Sequence, residues 1–370
     1  AMDRKVLVVP TGGLRREGIT SSILSFMRSM DRDGLDVRVA AVYNNESDVL
    51  DELRLLGCDV VETPDRRSDT FGYVRFLISY MRRERIDVVH VHGSSSVMAI
   101  ELRCAQLAGV RERIAHSHNT RSDDPRRDKM LRPFFRGSWT RALACGEDAG
   151  RWLFEDSPFE VLHNGFALEK YAFDAVQRNE VRSRLGFGDE PAVGFVGNIN
   201  YVKNQSFLID VFGLLSRDVP SARLFIVGEG PDRSKIEGLI AEKGLADRVT
   251  ITGRVSNVDE FLQAFDLMML PSLFEGLPSV VLEWQAAGLP CLVSDVVTGE
   301  CAVTPLVRFL SLRDGAAAWA ACARETLEVN SVVDVRRAAS ERALLALRRH
   351  GFDIHEVSKR LRTIYLGGGK

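Results

Sequence analysis

The stretch PSLFEGLPSVVLEWQAAGLP, residues 271–290, contains two glutamates, Glu275 and Glu283, on either side of a Gly-Leu-Pro bend. Pro278 suits the first turn of a helix, where its missing N–H would have no intrahelical partner, and Gly288 suits the helix end. The residues between them are almost all apolar, which predicts a helix buried on most of its faces. Because burying an unpaired charge is costly, the carboxylate inside this helix needs a partner.

The two glutamates lie where a ligand can supply that partner. Glu275 directly precedes the predicted helix start, where unsatisfied N–H groups and the helix dipole favour an anion such as a diphosphate. Gly276 allows the chain to approach a ligand closely. We therefore interpret the segment as a nucleotide-diphosphate site that offers two carboxylates to sugar or ribose hydroxyls. A solvated glutamate on an amphipathic helix is the alternative for Glu283, and its apolar neighbours argue against it.

The composition is that of an ordinary globular protein. The chain has 370 residues, of which 45% are hydrophobic and 27% charged, and its length predicts two domains. The net charge of −2 gives no reason to expect nucleic acid as a partner. Six cysteines lack any zinc spacing, so we expect reduced thiols in a cytoplasmic protein. We expect neither a signal peptide nor a membrane span, since no apolar run approaches the ~20 residues that a bilayer requires.

Short apolar runs alternate with longer helical patterns, which predicts parallel sheets with helices on both faces. The candidate elements of the first series are strands Lys5–Val9, Val37–Val42, Asp59–Glu62, Val88–His92, Arg113–His116 and Ala142–Ala144, with helices Thr20–Met30, Thr70–Glu84 and Ser96–Ala108. The candidate strands of the second series are Ala192–Val196, Arg223–Val227, Val249–Thr252, Leu267–Leu270 and Cys291–Val293. We predict an α/β protein with domains 1–168 and 169–352 and a tail helix within 353–370. Doubly wound domains bind ligands at the C-terminal ends of their strands.

The stretch EGLPSVVLE, residues 275–283, followed by AAGLPCLVSD, resembles the E-x7-E signature of retaining GT-B glycosyltransferases of family 4. The resemblance implies two Rossmann-like domains facing across a cleft, with the tail helix crossing back to the N-terminal domain. It also implies that Glu275 faces the transferred sugar and Glu283 holds the ribose hydroxyls. The amides around Gly276 and Leu277 would meet the diphosphate.

The resemblance extends to three loops of the second series. In VGFVGNINYVKNQ, residues 193–205, Lys203 matches the lysine that holds the diphosphate, although a surface lysine is the alternative. The family usually has an arginine where this chain has Asn198, so one cation of the diphosphate clamp is missing. Arg254, in ITGRVSN, is the candidate replacement. Gly228, in GEGP, matches a turn that shapes the nucleotide pocket.

In the first series, PTGGLRREGIT is not the G-x-G-x-x-G fingerprint. It is similar to the family's glycine-rich loop, which implies that the amides of Gly12 and Gly13 approach the donor phosphates; a plain strand–helix turn is the alternative. His118, in HSHNT, matches the family's active-site histidine, and His92 is a weaker candidate for the same cleft. We interpret His116 as a core histidine. Because no cysteine or carboxylate stands at a metal-ligand spacing, we predict no metal site and no cofactor.

Two further segments carry weaker signals. Asp31–Asp33 has the D-x-D pattern of another glycosyltransferase fold, and the adjacent glycine indicates a polar turn instead. Between Arg111 and Arg141 many arginines are interleaved with aromatic residues. This segment suits a peripheral membrane surface or a lipid-linked acceptor, and a solvated, partly buried helix fits it equally well.

The resemblance implies a glycosyltransferase that moves a sugar from a nucleotide-diphosphate sugar to an acceptor hydroxyl with retention. HSHNT and residues 294–312 resemble the corresponding segments of the family members that make bacterial exopolysaccharides and capsules. This resemblance implies a UDP-sugar donor and a saccharide or lipid-linked saccharide acceptor. UDP-glucose, UDP-galactose and UDP-N-acetylglucosamine remain open as donors. The alternatives are a UDP-sugar 2-epimerase-like GT-B enzyme, an NAD-dependent dehydrogenase, which requires a fingerprint that is not clear here, and a non-catalytic nucleotide-sugar-binding protein.

Overall fold

The structure, a computed structural model, describes residues 3–16, 18–122, 124–329 and 333–368. They form two compact units. The first unit comprises residues 1–166 together with 351–370, and the second comprises residues 167–350.

The strands and helices alternate along both units, as the sequence predicts. The strands of the described residues are β1 (Arg4–Pro10), β2 (Leu35–Ala41), β3 (Asp59–Glu62), β4 (Val88–Gly93), β5 (Glu112–Ser117), β6 (Arg141–Ala144), β7 (Glu160–Val161), β8 (Ala192–Val196), β9 (Arg223–Val227), β10 (Val249–Gly253), β11 (Leu267–Leu270), β12 (Cys291–Ser294) and β13 (Val307–Leu310). Their helices are α1 (Gly18–Ser29), α2 (Ser47–Leu55), α3 (Thr70–Glu84), α4 (Ala99–Ala108), α5 (Pro125–Phe135), α6 (Glu147–Phe154), α7 (Ala175–Arg184), α8 (Gln205–Asp218), α9 (Arg233–Glu242), α10 (Val258–Ala264), α11 (Ser279–Ala286), α12 (Gly315–Val329), α13 (Val333–Arg349) and α14 (Ile354–Tyr365).

The first unit is built on a parallel sheet, which within the described residues has the strand order β3-β2-β1-β4-β5-β6-β7. Successive residues of β1 point to opposite faces. Leu7 and Val9 therefore join one hydrophobic cluster, and Val6 and Val8 join another on the opposite face. Both faces of the sheet are covered, as in a doubly wound fold.

The tail helix α14 belongs to the first unit. The Asp353 side chain accepts a hydrogen bond from the backbone N–H of His355 and so caps the helix. The apolar residues Ile354, Val357 and Leu361 recur at helical spacing and pack into the same cluster as Val6 and Val8. This stripe fixes the face of the sheet that α14 covers.

The second unit is also built on a parallel sheet, with the described strands in the order β10-β9-β8-β11-β12-β13. In both sheets the strand order reverses direction beside the first strand of the unit, at β1/β4 and at β8/β11. The α/β prediction with two doubly wound, Rossmann-like sheets is therefore confirmed. The loops that follow these four strands surround the positions where such sheets bind ligands.

Helix α11, which carries part of the segment quoted first, has an uncapped N-terminus and a closely packed C-terminus. Pro278 precedes it as the N-cap residue rather than lying in its first turn, and offers no side-chain cap. Gly288 has a φ of +69°, and a Cβ there would collide with the backbone of Arg336. The buried Arg336 guanidinium donates to the carbonyl oxygens of Ala287 and Leu262 at 3.0 and 2.7 Å. A cation thus satisfies the C-terminal carbonyls of α10 and α11.

Candidate functional site

The loop after β8 and the loop after β11 are fastened together by hydrogen bonds. The Asn204 side-chain Nδ2 donates to the Pro271 carbonyl oxygen at 3.1 Å, and the Leu273 backbone N–H donates to the Val202 carbonyl oxygen at 2.8 Å. Since β8 and β11 are neighbours in the sheet, these bonds extend the strand pairing into the loops. They bring Lys203 next to the quoted segment.

Lys203 and Glu275 form an ion pair, with the Lys203 Nζ 2.5 Å from the Glu275 Oε1. The Ser272 hydroxyl, which is fully buried, donates to the same carboxylate oxygen at 2.7 Å. The side chains of Lys203 and Glu275 are 20% and 12% exposed, so solvent screens the pair only in part. Two residues predicted to act on the same ligand are therefore paired with each other.

Glu283 is half-buried on α11, and the rest of that helix is largely apolar and buried. The Tyr171 hydroxyl donates a hydrogen bond to its carboxylate. Lys170 lies close enough to favour the charged form, and Asp259, which is 3.1 Å from the Lys170 Nζ, opposes it. Desolvation outweighs these partners and raises the pKa of Glu283 to about 7.

The raised pKa of Glu283 makes stability depend on pH. Below its ordinary value of 4.5 the carboxyl is protonated in the folded and unfolded states alike, and it contributes no pH dependence. Between 4.5 and about 7 only the unfolded state releases the proton, so the unfolding free energy falls by about 3 kcal/mol as pH rises, and then levels off. We expect Glu283→Gln to match the wild type near pH 4.5 and to be more stable by up to this amount at pH 8.

Urea unfolding of both proteins at the two pH values measures this difference. Glu237→Gln is the matched control, because Glu237 is exposed on α9 and its replacement should change stability by no more than about 0.5 kcal/mol at either pH. A gap between wild type and Glu283→Gln that does not widen from pH 4.5 to pH 8 would show that Glu283 is already ionised in the folded protein.

Glycines bring the loops after β8 and β9 together. A Cβ on Gly228, whose φ is +155°, would collide with the Gly197 carbonyl oxygen, so only glycine permits this approach. Asn198, the next residue of the first loop, is exposed, and its carbonyl oxygen accepts from the Gln205 side chain at 2.8 Å. Arg254 follows β10, is exposed and lies within electrostatic range of Glu229. Arg254 is thus a cation on a loop that adjoins the Gly228 turn.

The glycine-rich loop of the first unit follows β1 at the strand reversal. The Thr11 backbone N–H donates to the His92 carbonyl oxygen at 2.9 Å, which ties this loop to the end of β4. Gly13 has a φ of +84°, and its N–H donates to the Pro10 carbonyl oxygen at 3.2 Å. Gly12 has open space on the side where a Cβ would stand. The Gly13 N–H is therefore already hydrogen-bonded within the turn. Gly12 is the residue of this loop whose backbone a ligand could approach.

Four histidines from β4, β5 and the residue after β5 lie side by side on one face of the first sheet. His92 lies opposite His116 in the strand register. The His92 Nδ1 is 2.8 Å from the His118 Nε2, and the His90 Nε2 is 3.1 Å from the His116 Nδ1. Burial lowers the pKa of all four imidazoles, that of His118 to about 3. They are therefore neutral at physiological pH, and His118, at the strand end, is half-buried.

The remaining predictions from the sequence concern turns, thiols and surfaces. Asp31–Asp33 forms a turn in which the Asp33 N–H donates to the Asp31 side chain, and the Arg362 side chain binds both backbone carbonyls. The six cysteines, all within the described ranges, are buried and form no disulfide. Among the described helices, none combines the length and the apolar character that crossing a bilayer requires.

Three polar residues around the glutamates were missed by the sequence analysis. Tyr171 and Lys170 end a short 3-10 helix just inside the second unit, and Asp259 lies in the first turn of α10. In the sequence, the only features that could have pointed to these residues are the Lys-Tyr pair in ALEKY and the acidic start of α10. Both features are equally typical of a solvated surface. Their relation to Glu283 follows only from the structure.

Two models of known protein families match this chain, each of them mainly within one of the two units. The family model described as "Glycosyltransferase Family 4" matches residues 16–170, and the model described as "Glycosyl transferases group 1" matches residues 177–305. The chain is 31% identical to the putative glycosyltransferase EpsF of Bacillus subtilis over 83% of this chain and 84% of EpsF.

Two further relatives are more distant. The UDP-Gal:alpha-D-GlcNAc-diphosphoundecaprenol alpha-1,3-galactosyltransferase of Escherichia coli is 27% identical, and the match covers 61% of this chain and 62% of that protein. The crystal structure of Anabaena HepE in complex with UDP superimposes with a TM-score of 0.82 at 15% identity, covering 98% of this chain and all of HepE. The similarity to HepE shows that the two proteins share a fold.

Proposed function

Because this chain belongs to the GT-B glycosyltransferases of family 4, we propose that it transfers a sugar from a UDP-sugar to a hydroxyl of a saccharide or lipid-linked saccharide during surface polysaccharide synthesis. The observation that carries the proposal is the Lys203–Glu275 pair in front of the uncapped N-terminus of α11. The donor of the E. coli relative and the UDP bound to HepE support a uridine nucleotide. The relative's diphosphoundecaprenol acceptor supports a lipid-linked one.

The proposed chemistry depends on stabilising the leaving UDP. In this proposal Lys203 and the amides of Gly276 and Leu277 bind the diphosphate, and the N-terminus of α11 adds its positive dipole end. Charge that develops on the leaving oxygen meets donors already in place, which is electrostatic catalysis. The transfer as proposed needs no metal at the diphosphate and proceeds with retention, with Glu275 at the transferred sugar and Glu283 at the ribose.

We extend the proposal to contact with an acidic membrane surface through α5. Met130 and Phe134 on this helix are 63% and 60% exposed, and Arg126 and Lys129 are exposed beside them. Asp128 is turned inward, where it accepts from the Ser96 backbone N–H at 2.8 Å. The exposed side of α5 is therefore apolar and basic, a combination that suits the surface of a bilayer with anionic lipids.

Thermal unfolding with UDP, GDP, ADP and NAD in separate samples tests the proposed donor. A ligand that binds only the folded state at a hundred times its dissociation constant adds about 2.7 kcal/mol to the unfolding free energy. We expect UDP to raise the unfolding midpoint and the other three nucleotides to leave it unchanged. A rise with NAD alone would contradict the proposal, as would the absence of a rise with UDP.

A further inference from the structure

The histidine cluster of the first unit contains a group that the proposed transfer does not use. His90, His92 and His116 are each at most 1% exposed. Each offers one ring nitrogen, and the three nitrogens all lie within 4.8 Å of one another. His90 and His92 share a face of β4 because they are two residues apart, and β5 places His116 directly beside them. The sequence analysis found no ligand partner for His116 because these partners lie on another strand.

The separation of one pair of these ring nitrogens suits a small metal ion. The His90 Nε2 and the His116 Nδ1 are 3.1 Å apart. Two imidazole nitrogens bound tetrahedrally to zinc at 2.0–2.1 Å stand roughly 3.3 Å apart, which is within a few tenths of an ångström. Three imidazoles with an open fourth position are also an established zinc donor set.

Two of these three rings have a hydrogen-bond partner at their outer nitrogen. The His90 Nδ1 is 2.7 Å from the Tyr365 hydroxyl, and the His92 Nδ1 is 2.8 Å from the His118 Nε2. The Leu162 backbone carbonyl lies near the His116 ring. Such contacts fix which nitrogen of a ligating imidazole keeps its proton and which faces the metal. The His116 Nε2 is buried without a well-formed hydrogen bond to any described residue.

We propose that His90, His92 and His116 form a binding site for a divalent transition metal of the zinc class. The ligand atoms are the Nε2 of His90 and of His92, since the outer contacts occupy Nδ1 of both rings. The third is the His116 Nδ1, which faces the His90 Nε2. With its Nε2 on the metal, His92 carries a proton on Nδ1 and donates it to the His118 Nε2. His118 then holds its own proton on Nδ1, so an occupied site sets the tautomer of the half-buried histidine.

Metal titration of the full chain, prepared without a polyhistidine tag and stripped with a chelator, tests the proposal. We expect one Co²⁺ per chain, with the visible absorption of low-coordinate cobalt, without thiolate charge-transfer bands, and displaced by Zn²⁺. His116→Gln should abolish stoichiometric binding. Tyr365→Phe keeps the buried ring and removes one outer contact, so it should weaken binding about 10- to 100-fold.

His355→Gln is the matched control, because His355 is an exposed histidine on the same helix as Tyr365 and should leave cobalt binding unchanged. If His116→Gln does not fold, the cobalt spectrum of the wild type and the cobalt affinity of Tyr365→Phe still test the proposal. The proposal is overturned by less than stoichiometric binding to the wild type, by thiolate bands, or by binding that Tyr365→Phe leaves unchanged.

Discussion

Lys203→Met is expected to reduce kcat/KM for transfer from the UDP-sugar by about 10²- to 10³-fold, the usual cost of removing one group that stabilises a developing oxyanion. The effect is large because Asn198 stands where the family usually has a second cation. In the proposal Lys203 is therefore the main cation at the diphosphate, and Arg254 lies on a different loop, after β10. Steady-state kinetics with the donor varied, together with UDP binding by calorimetry, measure the loss.

Two variants make the Lys203 experiment specific. Lys243→Met removes another ion-paired lysine of the second unit, whose Nζ is 2.8 Å from an Asp210 carboxylate oxygen on the surface. It should change neither kinetics nor UDP affinity, since exposed pairs contribute about 1 kcal/mol at most and this one is outside the loops at β8 and β11. Lys203→Arg should recover part of the rate, because it keeps the charge with a different donor geometry. Kinetics of Lys203→Met within threefold of the wild type would exclude Lys203 from the diphosphate site.

Much of the fold could be predicted because buried parallel strands are short apolar runs between turns. Ala192–Val196 and Leu267–Leu270 were predicted with the bounds that the structure has. The strand β13 was missed because it lies at the edge of its sheet, where Val307–Leu310 stays half-exposed and carries an arginine. Edge strands lack the continuous apolar run that marks a central strand.

The candidate site was only partly predictable, because its contacts join residues far apart in sequence. Lys203 and Glu275 were each singled out by a local motif, but their ion pair depends on β8 lying beside β11. The sequence predicts ligand hydroxyls as the partners of the Glu283 carboxylate, and the structure adds a protein partner, the Tyr171 hydroxyl. That tyrosine lies more than a hundred residues away in a segment without a distinctive pattern.

Glu275→Gln is expected to separate turnover from nucleotide affinity. The glutamate holds the Lys203 Nζ at 2.5 Å, so an incoming diphosphate must compete with its carboxylate for the same cation. Removing the charge frees Lys203, and UDP should bind about fivefold more tightly, which corresponds to about 1 kcal/mol for a partly exposed pair. Because Glu275 is proposed to face the transferred sugar, kcat should fall about 10²-fold or more.

Calorimetric titration of UDP and steady-state kinetics, carried out on the same preparation of Glu275→Gln, distinguish this competition from a structural role. A structural glutamate would lower UDP affinity, turnover and thermal stability together. Ser272→Ala is the matched comparison, since it removes a neutral donor to the same carboxylate oxygen and leaves the ion pair in place. Its UDP affinity should stay within about twofold of the wild type. Weaker UDP binding by Glu275→Gln would mean that the carboxylate orients Lys203 for the diphosphate and does not compete with it.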